Sequence, residues 1–413
     1  MKEIKPSISI SNLRMFLFPL LILFFFNATS QGVWTQKADM GGSSRQLPAC
    51  FSIGTKGYIG TGRPITGFYL KDFWEWDQST NSWTQKADFG GTERAGAVGF
   101  SIGTKGYFAT GVGGTSVYVD LWEYDPGSNL WTQKTSLPST FRYCATAFTF
   151  GTKGYICLGT FGLGVYWNDL WEYDQSTDAW TQKANFAGLA RSLAMGFTVN
   201  GKAYIGTGDM GSILPVRDFW EYNPSIDSWT QVADFPGGIR KAGISFSIDS
   251  MGYAGAGHGS FGADQVQKQR SDFWKYNPVT NSWTALNNIP VPRFEAISFS
   301  IGQKGYFGTG IDSSGYCKDL WEFDPYTVSI DELMVDNAVL ISPNPFTTET
   351  QITFSQTQRN SIITVTDILG REVRRINFNG KQWKLKRGTL KKGMYIVQVN
   401  DGKHIYASKL IIQ

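Results

Sequence analysis

Hydrophobic and polar residues alternate in short runs along most of this chain, and one such run recurs. Its clearest copy, DLWEYDPGSNLWTQK at Asp120–Lys134, has the two-residue period of β-strands on either side of a turn. The first tryptophans of successive copies are 48, 49, 49, 54 and 47 residues apart. A period near 50 residues indicates an array of repeated structural units. The other copies begin at Asp72, Asp169, Asp218, Asp272 and Asp319.

Each unit predicts four short strands. The first follows an arginine, as in Arg94–Ile102, and a Gly-Thr-Lys-Gly turn leads to the second at Tyr107–Gly111. The third is the DLWEYD run, and the fourth contains a second tryptophan. We expect three residue types to be structural in every unit. They are the opening arginines Arg45, Arg94, Arg142, Arg191, Arg240 and Arg293, the aspartates that start the third strand (Asp72, Asp120, Asp169, Asp218, Asp272 and Asp319), and the tryptophans Trp83, Trp131, Trp180, Trp229 and Trp283.

The two ends of the repeated region complement each other. Val33–Asp39 contains a fourth-strand tryptophan segment without a third strand before it, and Asp319–Pro325 is a third strand without a fourth strand after it. A radial array of sheets avoids an open edge when a strand from one end completes the sheet at the other end. The offset therefore predicts six sheets closed by an N-terminal strand.

These features resemble the kelch family. The resemblance rests on a third-strand aromatic residue followed seven positions later by tryptophan, as in Tyr124 and Trp131, and on glycines that close the second strand, as in Gly60 and Gly62. It covers residues 31–326 and implies an all-β fold, a six-bladed kelch-type β-propeller. Within that family, this chain is similar in its six blades to the sialic acid mutarotase, an enzyme that needs no metal. Galactose oxidase also has a kelch propeller, but its copper site requires histidines that this chain lacks.

The pattern changes after residue 326. Residues 327–341 lack glycine and tryptophan and predict a linker. From Ser342 to Gln413, alternating segments at 351–355, 362–367, 372–378 and 394–399 predict a small C-terminal β-sandwich.

This C-terminal segment resembles the sorting domain of the type IX secretion system of Bacteroidetes. The matching runs are Pro343–Pro345, VTDILGR at 365–371, KGMYIV at 392–397 and KLIIQ at 409–413. The resemblance implies contact with the type IX machinery, passage through the periplasm and the outer membrane, and a mature protein that is released or held at the cell surface. An ordinary accessory sandwich is the alternative.

The N-terminus predicts a secretory signal peptide at residues 1–30. Lys2, Lys5 and Arg14 precede the apolar run Met15–Phe26, and small residues follow up to Ser30, where we expect cleavage. The apolar run is shorter than the roughly 20 residues that a membrane-spanning helix needs. We therefore expect no transmembrane segment in the mature protein.

Composition narrows the possible chemistry. The chain has two histidines, His258 and His404, which excludes sites built from several histidines, and it has no HExxH or GxSxG motif. We predict no metal, no cofactor and no catalytic residue. From Val335 onward, 12 Lys and Arg stand against 5 Asp and Glu, so the excess of basic residues lies in the C-terminal region and not in the repeats. The repeats therefore offer no basic face for nucleic acid. The four cysteines, Cys50, Cys144, Cys157 and Cys317, are expected to be small buried hydrophobes, with a disulfide between Cys144 and Cys157 as the alternative.

The loops between the second and third strands vary from unit to unit, whereas the other turns hardly do. In a repeat array, such variation typically marks the binding face. Aromatic rings in these loops could stack on sugars, and cationic or polar groups could bind hydroxyls or carboxylates, although aromatic residues at the base of a loop also pack between sheets. The candidate ligand-binding residues are Phe68, Tyr69, Tyr118, Tyr166, Trp167, His258, Lys268, Arg270 and Tyr316.

The sequence as a whole favours a secreted or cell-surface module that binds a glycan or a protein. A metal-free sugar-processing enzyme of mutarotase type and a structural surface-layer component are the alternatives. An acid/base cluster in a concave pocket on the variable face would favour the enzyme.

Overall fold

The computed structural model describes residues 31–211, 216–261, 264–327, 339–367, 371–400 and 405–413. The predicted signal peptide, His404 and most of the predicted linker lie outside these residues. The described chain is all-β, as predicted.

Six antiparallel sheets of four strands each occupy the described part of residues 33–324. The sixth sheet includes β1 (Val33–Lys37). The first three sheets are β2 (Ala49–Ile53), β3 (Lys56–Gly60), β4 (Phe73–Asp77) and β5 (Ser82–Lys86); β6 (Val98–Ile102), β7 (Lys105–Ala109), β10 (Leu121–Asp125) and β11 (Leu130–Lys134); and β12 (Thr146–Phe150), β13 (Lys153–Cys157), β16 (Leu170–Asp174) and β17 (Ala179–Lys183).

The remaining sheets repeat this order. The fourth contains β18 (Met195–Val199), β19 (Lys202–Gly206), β20 (Phe219–Asn223) and β21 (Ser228–Val232), and the fifth contains β23 (Ile244–Ile248), β24 (Met251–Gly255), β27 (Phe273–Asn277) and β28 (Ser282–Leu286). The sixth contains β29 (Ile297–Ile301), β30 (Lys304–Gly308) and β33 (Leu320–Asp324), and β1 pairs with β33 as its fourth strand. The N-terminal segment thus completes the last sheet.

Burial explains how neighbouring sheets pack. Second strands are buried on both faces, whereas fourth strands are largely exposed. The second strand tolerates this burial because its second residue is small. Phe51 of the first sheet lies on Gly106 of the second, where an added Cβ would be 2.0 Å from the ring, and Phe299 of the sixth lies on Gly57 of the first. The first strands of consecutive sheets touch, and β29 touches β2, so the arrangement resembles a β-propeller.

Several of the variable loops fold into short hairpins, because tight turns allow their ends to pair. These are β8 (Val112–Gly113) with β9 (Ser116–Val117), β14 (Thr160–Gly162) with β15 (Val165–Tyr166), and β31 (Ile311–Asp312) with β32 (Gly315–Tyr316). In the fifth unit, β22 (Arg240–Lys241), β25 (His258–Phe261) and β26 (Asp264–Gln269) form a three-stranded sheet.

The C-terminal region forms one five-stranded sheet with its own core. Its strands are β34 (Val339–Ser342), β35 (Glu349–Asp367), β36 (Glu372–Lys386), β37 (Gly393–Asn400) and β38 (Ile405–Ile412). The two strands predicted at 351–355 and 362–367 are one long strand, because β36 continues to pair across the polar stretch between them with shifts in register. Strand β34 starts at Val339, within the residues predicted as a linker, and pairs with β35.

Candidate functional site

The six opening arginines form a buried frame. Each donates both terminal nitrogens to the aspartate of its own sheet and one of them also to a backbone carbonyl; for Arg45, the bonds to Asp72 are both 2.6 Å and the bond to the carbonyl of Thr61 is 2.9 Å. The aspartate also accepts a hydrogen bond from the indole of Trp74, two residues later. Burial alone would raise the pKa of Asp72, but Arg45 outweighs this effect and lowers it. These charges compensate each other within the frame.

The residue two positions after each arginine belongs to a ring of backbone hydrogen bonds. Each of these residues has a positive φ, between 49° and 63°, and its N–H donates to the carbonyl of the equivalent residue in the preceding sheet at 2.7–3.1 Å. Together with their neighbours, they line a cavity of about 120 Å³ to which all six sheets contribute. The ring residues are Leu47, Gly96, Cys144, Leu193, Ala242 and Glu295.

A second set of residues surrounds this cavity. The residue directly after each arginine pairs with the third residue after the second strand of the same sheet, as Lys241 does with His258. We call the ring residues and these pairs the mouth. The pairs are Gln46 with Arg63, Ala95 with Val112, Tyr143 with Thr160, Ser192 with Asp209, Lys241 with His258, and Phe294 with Ile311.

The mouth is chemically asymmetric although its backbone repeats. The second sheet contributes Ala95, Gly96 and Val112, which carry no polar side chain. Across the third to sixth sheets, the same positions carry groups that can titrate or form hydrogen bonds, among which Lys241 and Asp209 form an ion pair at 3.2 Å. An asymmetric set of side chains on a repeated backbone suits an asymmetric ligand. These titratable or hydrogen-bonding groups include Tyr143, Thr160, Ser192, Asp209, Lys241, His258 and Glu295, and the first sheet adds Gln46 and Arg63.

Glu295 is the one ring residue with an ionisable carboxyl group. It is half-buried and lines the cavity. Burial raises its pKa to about 7, although the charge of Lys241 opposes the shift. A carboxyl group with a pKa near neutrality can both donate and accept a proton under physiological conditions.

Two of the predicted ligand-binding residues lie at or beside the mouth. His258 has its ring 5.3 Å from that of Phe294, and burial, Lys241 and Arg270 lower its pKa. Tyr166 is half-buried, and its pKa is raised by burial and then by Asp209 and Tyr143. These interactions connect the loop of the third sheet with the polar side of the mouth.

The other predicted residues are dispersed. Phe68 is 78% exposed, Tyr118 stacks on the guanidinium of Arg94 at 4.0 Å, and Trp167 donates its indole N–H to the carbonyl of Phe141 at 3.4 Å. The remaining four are half-buried or exposed loop residues. Tyr69 lies 5.6 Å from the guanidinium carbon of the mouth residue Arg63, Tyr316 is half-buried in β32, and Lys268 and Arg270 line a separate cleft.

Sequence reasoning did not find the mouth residues Tyr143, Asp209, Lys241 and Glu295. Each looks ordinary in its own unit. The available signal was a comparison of the six units at the two positions after the arginine and at the third position after the second strand, where the backbone repeats but the side chains differ.

The described residues contain no cluster of acidic, histidine and cysteine side chains that could hold a metal ion. Nor do they include a helix long and apolar enough to cross a membrane. All four cysteines are free thiols, and burial raises the pKa of Cys50 and of Cys317 to about 12.

Comparison with known proteins identifies the C-terminal region. Residues 340–413 match the secretion system C-terminal sorting domain. This match confirms the predicted sorting tail and implies a protein exported to the cell surface or secreted by the type IX system. Curated proteins gave no match to the chain.

The repeated sheets are similar to a solved structure titled "Structure of YjhT". The TM-score is 0.61 at 16% sequence identity, and the alignment covers 69% of this chain and 95% of that chain. At this identity the similarity shows the fold alone, which agrees with a propeller-like arrangement of the sheets.

Proposed function

We propose that the mature protein is an exported six-bladed kelch propeller, residues 31–326, that uses the mouth and the surrounding loops to bind a glycan or a surface protein. The six four-stranded sheets and their closing N-terminal strand support the propeller. The sorting domain supports the location, because an exported protein meets glycans and proteins at the cell surface.

The asymmetry of the mouth is the observation that carries the binding proposal. Hydrogen bonds of the arginine–aspartate frame and of the backbone ring stabilise the fold in every unit. The side chains of the mouth contribute little to this repeated frame and are therefore available for a ligand. Binding sites of this kind combine apolar or aromatic surface with a few polar groups that fix orientation.

A glycan suits this combination. Tyr143 and Tyr166 present half-buried aromatic rings near Asp209, and Lys241 completes a polar edge with that carboxylate. A sugar ring can stack on the aromatic rings while its hydroxyls bind the charged groups.

A binding screen of the mature chain, residues 31–413, against arrayed glycans and surface proteins tests the proposal. We expect a specific hit that Tyr166→Ala and Lys241→Met each weaken at least tenfold. Val279→Ser is the matched control, because Val279 is 86% exposed in the turn between the third and fourth strands. A hit that survives both mouth variants, or no hit at all, would contradict the proposal and favour a structural surface-layer component.

Glu295 supports a second candidate, a metal-free sugar-processing enzyme of mutarotase type. Opening and closing a sugar ring needs a group that donates a proton and one that accepts it. A carboxyl with a pKa of about 7 in a cavity, beside Lys241, meets that requirement. Exchange between the anomers of any sugar that binds, measured by NMR, should accelerate with the wild type and lose the acceleration with Glu295→Gln if this function is correct.

A further inference from the structure

Position 270 stands out from its five equivalents. The residue two places before the frame aspartate always donates its backbone N–H to the carbonyl of the glycine after the second strand, and Arg270 does so to Gly257 at 2.9 Å. The backbone is therefore the same in every sheet, and only the side chain differs. In the other sheets this residue is Leu70, Tyr118, Trp167, Val216 or Cys317.

The guanidinium of Arg270 is only partly used by the fold. Its Nε donates to the carbonyl of Gly259 at 3.0 Å. Its Nη2 is buried and has no hydrogen-bond partner in the described part of the chain. A buried cationic donor without an acceptor is unfavourable, so an acceptor from outside would relieve it.

The neighbouring frame arginine also has unused capacity. Arg240 donates to Asp272, but its Nε, like that of Arg293, is buried without a partner among the described residues, whereas Arg45 donates its Nε to the carbonyl of Ser43. Burial lowers the pKa of Arg240, Asp272 opposes this, and Arg270 lowers it further. Arg240 donates both terminal nitrogens to the carboxylate of Asp272, and the charge of Arg270 adds to that of Arg240 at this site.

Arg270 lines a cleft of about 350 Å³ at the edge of the fifth sheet. Asp272, Trp274 and Asn288 also line it, and Lys268 lies at its exposed rim. We propose that this cleft binds the anionic group of an acidic saccharide, a carboxylate or a sulfate. The planar guanidinium of Arg270 provides the donors that such groups accept in charge-assisted pairs. This inference rests on the proposed glycan-binding function and specifies the class of glycan.

Binding of defined probes to the mature chain tests the site at low ionic strength, where screening is weak. The probes are inorganic sulfate, trigalacturonic acid, a sulfated galactose oligosaccharide and neutral galactotriose. We expect each acidic saccharide to bind at least tenfold more tightly than galactotriose. Arg270→Leu should abolish this preference and leave the affinity for galactotriose unchanged.

Two controls keep the result interpretable. Arg270→Leu places at 270 the residue that the first sheet has at Leu70, so its melting temperature should stay close to that of the wild type. Arg217→Leu removes one cationic charge from the loop of the fourth sheet, where Arg217 is 58% exposed and pairs with Asp234, and should leave the preference intact.

The outcomes separate the two proposals. If Arg270→Leu keeps the preference for acidic saccharides, the anion site is wrong even though glycan binding stands. If no saccharide binds but sulfate shifts the Arg270 Nε resonance, the anion site stands and glycan binding fails. If sulfate and the saccharides all leave Arg270 unaffected, the anion site is overturned.

Discussion

Arg142 shows what the frame requires of a single residue. It is fully buried, and Asp169 accepts hydrogen bonds from both of its terminal nitrogens at 2.7 Å. Burial would raise the pKa of Asp169, but Arg142 lowers it below the usual range. The charge of each partner is tolerated only because the other is present.

Arg142→Met should therefore reduce the free energy of unfolding by about 3 kcal/mol, because it leaves Asp169 partly buried without its counter-charge. The double variant Arg142→Met/Asp169→Asn should lose less than the sum of the single variants. Urea denaturation of the three variants measures both quantities. Additive losses would show that the two side chains are independent.

The pKa of Glu295 is shifted in the opposite direction to that of Asp169, and it predicts a stability that depends on pH. Its pKa is about 7 in the folded protein against a usual value of 4.5, so the folded state binds the proton more tightly. Its contribution to stability is present below pH 4.5 and is lost as the pH rises through about 7. At about 1.4 kcal/mol per pKa unit, the loss in the free energy of unfolding is on the order of 3–4 kcal/mol.

Glu295→Gln should remove this dependence and be more stable than the wild type at pH 8 but not at pH 4. Denaturation curves across this range measure the effect, with Glu93→Gln as the control because Glu93 is an exposed carboxyl on the same face. Parallel curves for wild type and Glu295→Gln at all pH values would contradict the shifted pKa.

Repetition determines which residues the sequence can reveal. An arginine, an aspartate and a tryptophan that recur in six units identify themselves as a set. Lys241 and Glu295 carry no such signal, because their importance comes from a position shared with Ala95 and Gly96, which have no functional side chain. Phe68 and Tyr118 were predicted to bind a ligand because they are aromatic loop residues, but they do not lie together in the structure.

Strand β1 differs from the other fourth strands in how its tryptophan is held. The indole N–H of Trp131 donates to the carbonyl of Ala87 at 3.2 Å, and that of Trp83 donates to Ala38 at 2.8 Å. Trp34 packs against Phe307 and Phe323 at 5.0 and 4.8 Å, but its N–H is buried without a partner among the described residues. The contact between β1 and β33, which we call the seam, therefore relies on aromatic packing and strand pairing.

Trp34→Phe should be neutral or slightly stabilising, because it removes an unsatisfied donor and keeps an aromatic ring. Trp131→Phe, the matched control, should cost about 1 kcal/mol more, because it also breaks a hydrogen bond. Thermal unfolding of the two variants gives the comparison. Equal destabilisation by both would mean that the indole N–H of Trp34 is satisfied in solution.

At the level of strands, local pattern predicts pairing only where the pattern continues. The all-β class and the fourfold strand order follow from alternation and turn residues, and both agree with the structure. The long strand β35 was divided in the prediction because the polar run at 356–360 interrupts the alternation. Pairing with β36 keeps the backbone extended there. Such a long-range contact produces no alternation of hydrophobic and polar residues in the local sequence.

At the level of the whole molecule, the sorting domain makes the clearest prediction. Deletion of residues 340–413 should leave the protein inside the cell envelope, because the type IX machinery can no longer recognise it. Cell fractionation and surface proteolysis of the producing bacterium measure the location. Glu295→Gln in the full chain is the control and should be exported normally. Surface delivery of the truncated protein would refute the role of the tail.

The seam between β1 and β33 also fixes the order of events in the life of the molecule. Residues 33–37 are synthesised before the rest of the six sheets and have no partner strand until residue 324 has been made. The sorting domain begins later, at residue 340. Any chain that carries the export tag has therefore already been supplied with both sides of its seam, and an incomplete ring has no tag to present. The order of segments along the chain therefore links export to a complete set of strands, because the sorting domain follows every strand of the six sheets.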